Sequence, residues 1–481
     1  TILWACWKLA GKGRWLAWAL GLAFVLRLAS GVGLMSALPI YGHDTEQQKA
    51  GYVFFDSFRR DTQAQELSQT RKPILSAITK KYATDQYGGY MALSMFVYRY
   101  ASGGVPRPYL MLILSALAGA AALAFFRLLA ARVMPERGAQ TGVWLLALFP
   151  QSVLLGASQM REPWLILFVT VCLWAASEWI HAGGWKPLLI LGGSSALILL
   201  ISPAILLPLF AFLLGWWLID RRGRKIPVWV YPVIIGLVLL GVFVFSWSVA
   251  KNNNTLDRYN MVEVMVQWFQ NAMTWDVQTT TADSGRLEYL FAGLPSALHT
   301  PFVVVYGVLQ PVLPAALLDT TLFIWNLISS LLAAGWYWIL PLLAYAVFAW
   351  PAGKTRREKF LFFWMTLIVW GWIVLSSARA GGDQWDNPRY RTIFLPLMAW
   401  LIAWVWDLAR SQHFYWLKFI WLMEAVALLF FTQWYASRYY QLFGRMQFPQ
   451  MVGVIIILWI IILIWAWWGA RQKKRLPVQS S

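Results

Sequence analysis

Charged residues, histidines and cysteines are all scarce in this chain. Only 13% of its 481 residues are charged, and it contains 4 histidines and 2 cysteines. A soluble domain carries about 25% charged residues, so an ordinary globular protein is excluded. Cys6 and Cys172 both lie in apolar surroundings and predict no disulfide framework. So few histidines also argue against a histidine-rich metal site.

Motifs of soluble enzymes are missing as well. The sequence has no His-Glu-x-x-His, no Cys-x-x-Cys and no serine-nucleophile elbow. The stretch at Gly11 lacks the spacing of a phosphate-binding loop, and the glycine pair at Gly31 and Gly33 lies within an apolar run with no strand before it. No basic recognition helix or fold signature indicates nucleic-acid binding, so nucleic acid is not expected as a partner.

Apolar sequence is what the chain has in abundance. Hydrophobic residues make up 59% of it, and many of its 33 tryptophans stand at the ends of apolar runs, which fits aromatic belts at two membrane interfaces. Because a span needs about 20 apolar residues, we predict an all-α polytopic membrane protein with about twelve transmembrane helices. Their predicted ranges are 15–40, 109–131, 142–158, 163–180, 187–201, 203–219, 227–249, 321–350, 360–377, 392–407, 417–436 and 450–470.

Two features of these runs need comment. The run 15–40 is too long for a signal-peptide core and is taken as a membrane span. The region 187–219 holds either one span or two, because Gly-Gly and Ser-Pro pairs interrupt it. Ionisable residues deep within spans are expected to face the bundle interior or a cavity, and two residues lie deep in predicted spans, Arg27 and Glu424.

The distribution of charge predicts the topology. The net charge is +19, and basic clusters at 221–225, 354–359 and 471–475 fall in segments that share one side of the membrane. The positive-inside rule then places both termini in the cytoplasm, and the net charge indicates contacts with anionic lipid headgroups.

This topology divides the chain into three regions. Residues 1–250 form an N-terminal transmembrane module with an external loop at 41–108. Residues 251–320 form a large external loop. Residues 321–481 form the C-terminal transmembrane helices, with a further external loop at 378–391. Most acids outside the spans are predicted to be external.

The first external loop opens with His43, Asp44 and Glu46, directly after an apolar run. Carboxylates at a membrane boundary are costly and tend to be functional. Phe54 and Phe58 fall on one helical face, with Arg60 and Asp61 on or near the other, so we predict an amphipathic helix at the interface. The alternative is a helix that merely covers the rim of the protein.

Three further groups of polar residues stand out. Asp85 precedes two glycines and is either a site residue or a turn residue. Arg161 and Glu162 occupy a short external hairpin, where Arg161 is alternatively an interfacial side chain and Glu162 a first-turn acid favoured by the helix dipole. The last group offers arginine forks for phosphate or, alternatively, an internal salt-bridge cluster: Asp383, Asp386, Arg389 and Arg391.

These residues resemble the glycosyltransferase C superfamily, which comprises polyprenyl-phosphate-dependent membrane enzymes such as protein mannosyltransferase and aminoarabinose transferase relatives. The likeness covers most of the chain. It rests on Asp44 and Glu46 after the first span, Asp85-Gln-Tyr-Gly-Gly-Tyr before the second, Arg161-Glu162, and the 383–391 segment. The family's second acidic site usually has a paired-acid form, whereas here an arginine precedes Glu162.

The resemblance implies transfer of a sugar from a polyprenyl-phosphate donor to a glycan, lipid or protein acceptor at the external face. Asp44 would be the general base, and Glu46 or Glu162 would orient the acceptor. An optional divalent cation, Mg²⁺ or Mn²⁺, would have Asp44 and Glu162 as ligands. The implied phosphate-binding residues are Arg161, Arg286, Arg389 and Arg391, and the implied positioning residues are His43, Asp85, Asp383 and Asp386.

Three other functions stay open at this point. A polysaccharide polymerase or ligase that uses lipid-diphosphate glycans would rely on the 250–320 loop and would leave the first-loop acids dispensable. A lipid or solute transporter would be expected to show internal repeats and polar residues at mid-membrane, and no convincing repeat is found. A non-catalytic subunit of a membrane complex is the third.

Overall fold

The structure is a computed structural model of the chain. It describes residues 1–78, 88–220, 295–318, 322–380, 383–442, 444 and 446–475. Three sequence predictions lie outside these described residues: the roles of Asp85 and Arg286 and the span at 227–249. Within the described ranges all regular structure is helical, as predicted.

Up to residue 220, the residues that the structure describes form eleven α-helices. They are α1 (Ile2–Leu9), α2 (Arg14–Tyr41), α3 (Glu46–Lys49), α4 (Phe55–Ser68), α5 (Gly89–Phe96), α6 (Pro108–Val133), α7 (Glu136–Leu148), α8 (Pro150–Gly156), α9 (Glu162–Ala182), α10 (Lys186–Ile201) and α11 (Leu206–Asp220). Short 3₁₀ and π turns at Ile74–Ile78, Val97–Ala101 and Pro203–Ile205 connect some of them.

The part that follows residue 294 adds eight more helices among the residues described. They are α12 (Ser296–Leu309), α13 (Leu313–Leu318), α14 (Phe323–Ala349), α15 (Arg356–Ala380), α16 (Asp386–Thr392), α17 (Leu395–Ser411), α18 (Tyr415–Tyr440) and α19 (Phe448–Arg475). A 3₁₀ turn at Trp350–Ala352 extends α14.

Membrane-spanning helices dominate the described residues. Eight are long and apolar enough to cross a bilayer, and two bent pairs raise the number to 10 if each pair is one span. The chain is therefore a helical multi-pass membrane protein. The larger count of about twelve stays a prediction.

Two predicted spans are broken by proline. The predicted span 142–158 consists of α7 and α8, which meet at an angle of 52°. Pro150 has no N–H to donate and pushes Phe149 out of the helical region, to φ −58 and ψ 116. The second break separates α10 from α11 at Ser202 and Pro203, which divides the 187–219 region in two.

Small residues allow the central helices to pack closely. α6 contains an alanine-rich stretch and packs along α2, α7 and α9. A Cβ added at Gly142 of α7 would lie 2.5 Å from the ring of Phe126 on α6. In a membrane, where apolar side chains gain nothing from leaving lipid, such close backbone approach is a main source of helix association.

The predicted amphipathic helix of the first loop is present as α4, which packs against α5. Its faces differ from the prediction, because Arg60 and Asp61 are buried and not on a polar outer side. Asp61 is buried because the hydroxyls of Tyr52 and Tyr98 donate hydrogen bonds to its carboxylate, at 2.6 and 2.5 Å. The position of α4 at a membrane interface stays a prediction.

Candidate functional site: the Arg389 cluster

Arg389 of α16 lies at the centre of three carboxylates. Its Nη2 is 3.2 Å from Oδ2 of Asp56 and 3.3 Å from Oδ1 of Asp386, and its Nε is 3.3 Å from Oε1 of Glu162. These four residues, which we call the Arg389 cluster, come from the start of α4, the start of α9 and the start of α16. The arginine side chain is only 3% exposed and that of Glu162 is fully buried, whereas the side chains of Asp56 and Asp386 are 37% and 43% exposed.

Arg161 extends this cluster on one side. Its Nε lies 3.8 Å from Oε1 of Glu162, the same oxygen that faces Arg389. Glu162 is the first residue of α9 and is fully buried. A carboxylate is favoured at a helix N-terminus, as the sequence indicated, but its contacts with the two arginines go beyond that role.

Local structure explains how α16 presents its charges. Asp383 accepts hydrogen bonds on Oδ1 from the main-chain N–H groups of Trp385 and Asp386, at 2.6 and 2.7 Å. This cap starts α16, which ends at a bend of 71° before α17. The ion pair between Asp386 and Arg389 is the internal salt bridge that the sequence left open as an alternative to phosphate binding.

Aromatic rings enclose the guanidinium of Arg389. Its centre lies 5.0 Å from the ring of Tyr390 and 5.9 Å from that of Phe54, and Nη2 donates a hydrogen bond to the Tyr390 hydroxyl at 3.1 Å. Low-dielectric surroundings of this kind strengthen charge interactions and make any unpaired charge costly.

Asp56 is the member of the cluster that the sequence analysis missed. Its side chain is 37% exposed. Burial works to raise the pKa of this carboxyl, but the guanidinium groups of Arg389, Arg60 and Arg161 outweigh it and hold the pKa below the ordinary value. Asp56 is therefore an accessible, ionised carboxylate. The only sequence signal was an acid in the first turn of a predicted interfacial helix.

Several buried polar atoms without hydrogen-bond partners belong to helices that contact one another at this cluster. In the described part of the chain they include both amide atoms of Gln151, Oε1 of Gln159, Oε2 of Glu162 and Oδ1 of Asn387. These residues belong to α8, α9, α16 and the turn between α8 and α9. A buried polar atom without a partner costs about 1–3 kcal/mol, so each of these atoms is a candidate to bind a polar ligand.

The residues predicted at the start of the first loop have partners that are not members of the Arg389 cluster. Asp44 is 87% exposed and pairs with Lys49 at 2.5 Å, and their hydrogen bond lowers the pKa of Asp44. Glu46 is exposed at the start of α3. His43 stacks on Trp325, with ring centroids 6.2 Å apart. The general-base role of Asp44 stays a prediction.

Arg391 is buried, and its guanidinium group contacts other residues of the protein. It is 2% exposed and donates hydrogen bonds to the main-chain carbonyls of Val308, at 3.3 Å, and Gln310, at 2.5 Å. Its guanidinium also lies 3.4 Å from the centre of the Trp336 ring. These contacts favour a structural role, in which Arg391 fixes the end of α12 against α16, over the predicted role in phosphate binding.

The described residues do not fit a divalent cation. Among them no group of three or more His, Cys, Asp or Glu side chains converges in a geometry for metal binding. Of the two predicted ligands, Asp44 is paired with Lys49, and Glu162 faces Arg389. The place that a cation would take between the acids is filled by a guanidinium.

No protein-family model matches the chain, no curated protein is significantly similar to it, and no solved structure matches its fold. The function is therefore argued from the Arg389 cluster itself.

Proposed function

We propose that the chain is an integral-membrane glycosyltransferase that moves a sugar from a polyprenyl-phosphate donor to an acceptor at the outer face of the cytoplasmic membrane. The observation that carries the proposal is the Arg389 cluster. It combines two accessible carboxylates, one buried carboxylate and two arginines at the start of a membrane span. Ionisable groups at such a position are rare and usually functional.

The reaction needs two kinds of group, and both are present in the cluster. The acceptor oxygen attacks the anomeric carbon, the bond from that carbon to the phosphate oxygen breaks, and the lipid phosphate leaves with the electron pair. The acceptor hydroxyl meanwhile gives its proton to a carboxylate. Asp56 is ionised and 37% exposed, which suits that role. Arg161, whose side chain is 12% exposed, supplies positive charge near the leaving phosphate.

Two carboxylates compete for the role of proton acceptor in this proposal. Asp44 is the one implied by the family resemblance, and it stands exposed between α2 and α3. Asp56 is the one that faces the arginines. The polysaccharide polymerase or ligase would leave the acids of the first loop dispensable, so substitution of these acids separates the two functions.

Native mass spectrometry of the gently purified full chain tests the proposal, because it reports any lipid that stays bound. We expect a polyprenyl monophosphate, with or without one sugar. A lipid diphosphate that carries an oligosaccharide would instead support the polymerase or ligase. Recovery of ordinary phospholipids alone, after addition of polyprenyl phosphate to the sample, would overturn the assignment of a lipid-phosphate donor.

A further inference from the structure

A row of four aromatic rings leads from the start of the first loop to Arg389. The imidazole of His43 stacks on the indole of Trp325, with ring centroids 6.2 Å apart. Trp325 meets Trp385 edge to face at 5.1 Å, and Trp385 meets Phe54 edge to face at 6.5 Å. The ring of Phe54 lies 5.9 Å from the guanidinium of Arg389. These four rings, which we call the aromatic row, are therefore continuous with the Arg389 cluster.

Only part of the aromatic row reaches the protein surface. His43 is exposed and Trp385 is half-buried. Trp325 and Phe54 lie beneath them, at 7% and 8% exposure, and pack in one apolar cluster with residues of α2 and α8. The two outer rings therefore rest on a buried and well-packed support.

Accessible carboxylates border both outer rings. Asp44 follows His43 in the sequence and is 87% exposed. Asp383 and Asp386 lie on either side of Trp385, where Asp383 is exposed and Asp386 is 43% exposed. Accessible charged side chains are costly in contact with acyl chains. This part of the surface is therefore expected to face water, unlike the rings of an aromatic belt that lie among lipid headgroups.

Hydrogen bonds hold both ends of the aromatic row in place. Oε1 of Gln48, a buried residue, accepts from the main-chain N–H of His43 at 2.5 Å and from the indole N–H of Trp325 at 3.2 Å. At the other end, the main-chain N–H of Trp385 donates to Oδ1 of Asp383 at 2.6 Å. A surface that is ordered before a ligand arrives loses little conformational entropy on binding.

Fixed aromatic faces beside carboxylates match the chemistry of sugars. The faces of aromatic rings carry partial negative charge, which attracts the weakly positive C–H groups on one side of a sugar ring. Sugar hydroxyls donate hydrogen bonds to carboxylate oxygens. We propose that the aromatic row and its carboxylates bind the acceptor of the transferase, and that this acceptor is a neutral glycan. The assignment rests on the proposed function and selects one class among glycan, lipid and protein acceptors.

The surface at Trp385 also lies next to the proposed proton acceptor. Asp386 follows Trp385 in the sequence, and its Oδ1 is 3.3 Å from Nη2 of Arg389. Oδ2 of Asp56 is 3.2 Å from the same nitrogen. Asp56 is also two residues from Phe54, the ring that meets Trp385. A sugar stacked on Trp385 therefore has a hydroxyl close to Asp56, where its proton would be accepted.

Binding of free oligosaccharides tests the proposal without any lipid donor. The full chain, in a detergent that has no sugar headgroup, is mixed with maltotriose, chitotriose or mannotriose, and binding is followed by saturation-transfer difference NMR. At least one trisaccharide is expected to bind, and W385A should weaken its binding by about fivefold or more. W385F keeps a ring face and should retain binding. W338A, which removes an exposed tryptophan of α14 outside the aromatic row, is the matched control and should bind like the wild type.

The glycan acceptor is overturned if none of the trisaccharides binds, or if folded W385A binds like the wild type. It is also overturned if a peptide containing serine and threonine binds in their place and depends on Trp385, because the acceptor would then be a protein. If W385A does not fold, H43A decides, since it removes an exposed ring and should weaken binding. Absence of a bound polyprenyl phosphate in mass spectrometry would overturn the transferase and leave these binding results unchanged.

Discussion

Arg27 donates a hydrogen bond from Nη2 to the main-chain carbonyl of Leu146, at 2.9 Å, within the helix bundle. In a continuous helix this carbonyl would accept from residue 150, which is a proline without an N–H. Arg27 also donates to the carbonyl of Ala147 and to the hydroxyl of Ser152, at 3.0 and 2.9 Å. Arg27, a buried residue of the first span, thus replaces the main-chain N–H donors that these carbonyls lose at the break between α7 and α8.

Replacement of Arg27 by methionine should destabilise the protein. It would leave the carbonyls of Leu146 and Ala147 buried without these donors, at about 1–3 kcal/mol each. We expect a melting temperature in detergent several degrees below that of the wild type. Arg14, at the exposed start of the same helix, gives the matched control R14M, which should melt like the wild type. Equal melting of R27M and wild type would show that the break does not depend on Arg27.

The stem of Arg27 leaves no room for a side chain at Gly156. A Cβ added there would lie 2.6 Å from Cδ of Arg27, closer than real Cβ contacts. G156A should therefore lower the melting temperature by displacing the arginine. Gly33, where a Cβ would meet nothing within 4 Å, provides the control. G33A should be neutral or stabilise by up to about 1 kcal/mol, because alanine favours the helix over glycine. The opposite ranking would contradict the observed packing around Arg27.

Substitution of Asp56 and substitution of Asp44 should have different effects on the rate of sugar transfer. If Asp56 takes the acceptor proton, D56N should lower the rate of sugar transfer by about 10²–10⁴-fold, while D44N retains most of it. The measurement is transfer from the lipid donor identified by mass spectrometry, with melting curves to verify folding. E66Q removes an exposed carboxylate from the same helix and should be fully active. Loss of activity in D44N with full activity in D56N would restore Asp44 as the base.

Lowering the pH should weaken the ion pairs of the Arg389 cluster, because Asp56 becomes protonated. Its pKa in the folded protein lies below the ordinary value of 3.8, so its ion pairs stabilise the fold at every pH above 3.8. That contribution is lost as the pH falls through the lowered pKa. Melting temperatures measured from pH 6 down to pH 3 should therefore fall more steeply for the wild type than for D56N. Parallel curves for the two proteins would show that Asp56 is not stabilised as an anion.

Periodicity and charge bias were enough to predict a helical multi-pass membrane protein and to single out Arg161, Glu162, Asp386 and Arg389. They could not predict that Asp56 joins these residues, because hydropathy does not record which helices pack together. The same limit explains Arg60 and Asp61. Both looked like residues of a solvated face, yet Asp61 is buried because Tyr52 and Tyr98 satisfy its carboxylate.

The sequence could not predict the structural role of Arg391, for a related reason. In sequence it is equivalent to Arg389, two positions away in the same segment. Only the structure shows that one arginine faces three acids while the other faces the carbonyls at the end of α12. On a helix, residues two positions apart point in different directions, so their partners are set by tertiary packing.

The Arg389 cluster has a consequence for how the chain can be divided. A break between residues 251 and 294, within the predicted external loop, would leave Asp56 and Glu162 on one polypeptide and Arg389 on the other. Two such fragments, made from separate genes, would each insert as a set of spans. Neither would hold an intact site until they met in the same bilayer. Recovery of activity when both fragments are made in the same cell would then show that Arg389 has assembled with Asp56 and Glu162.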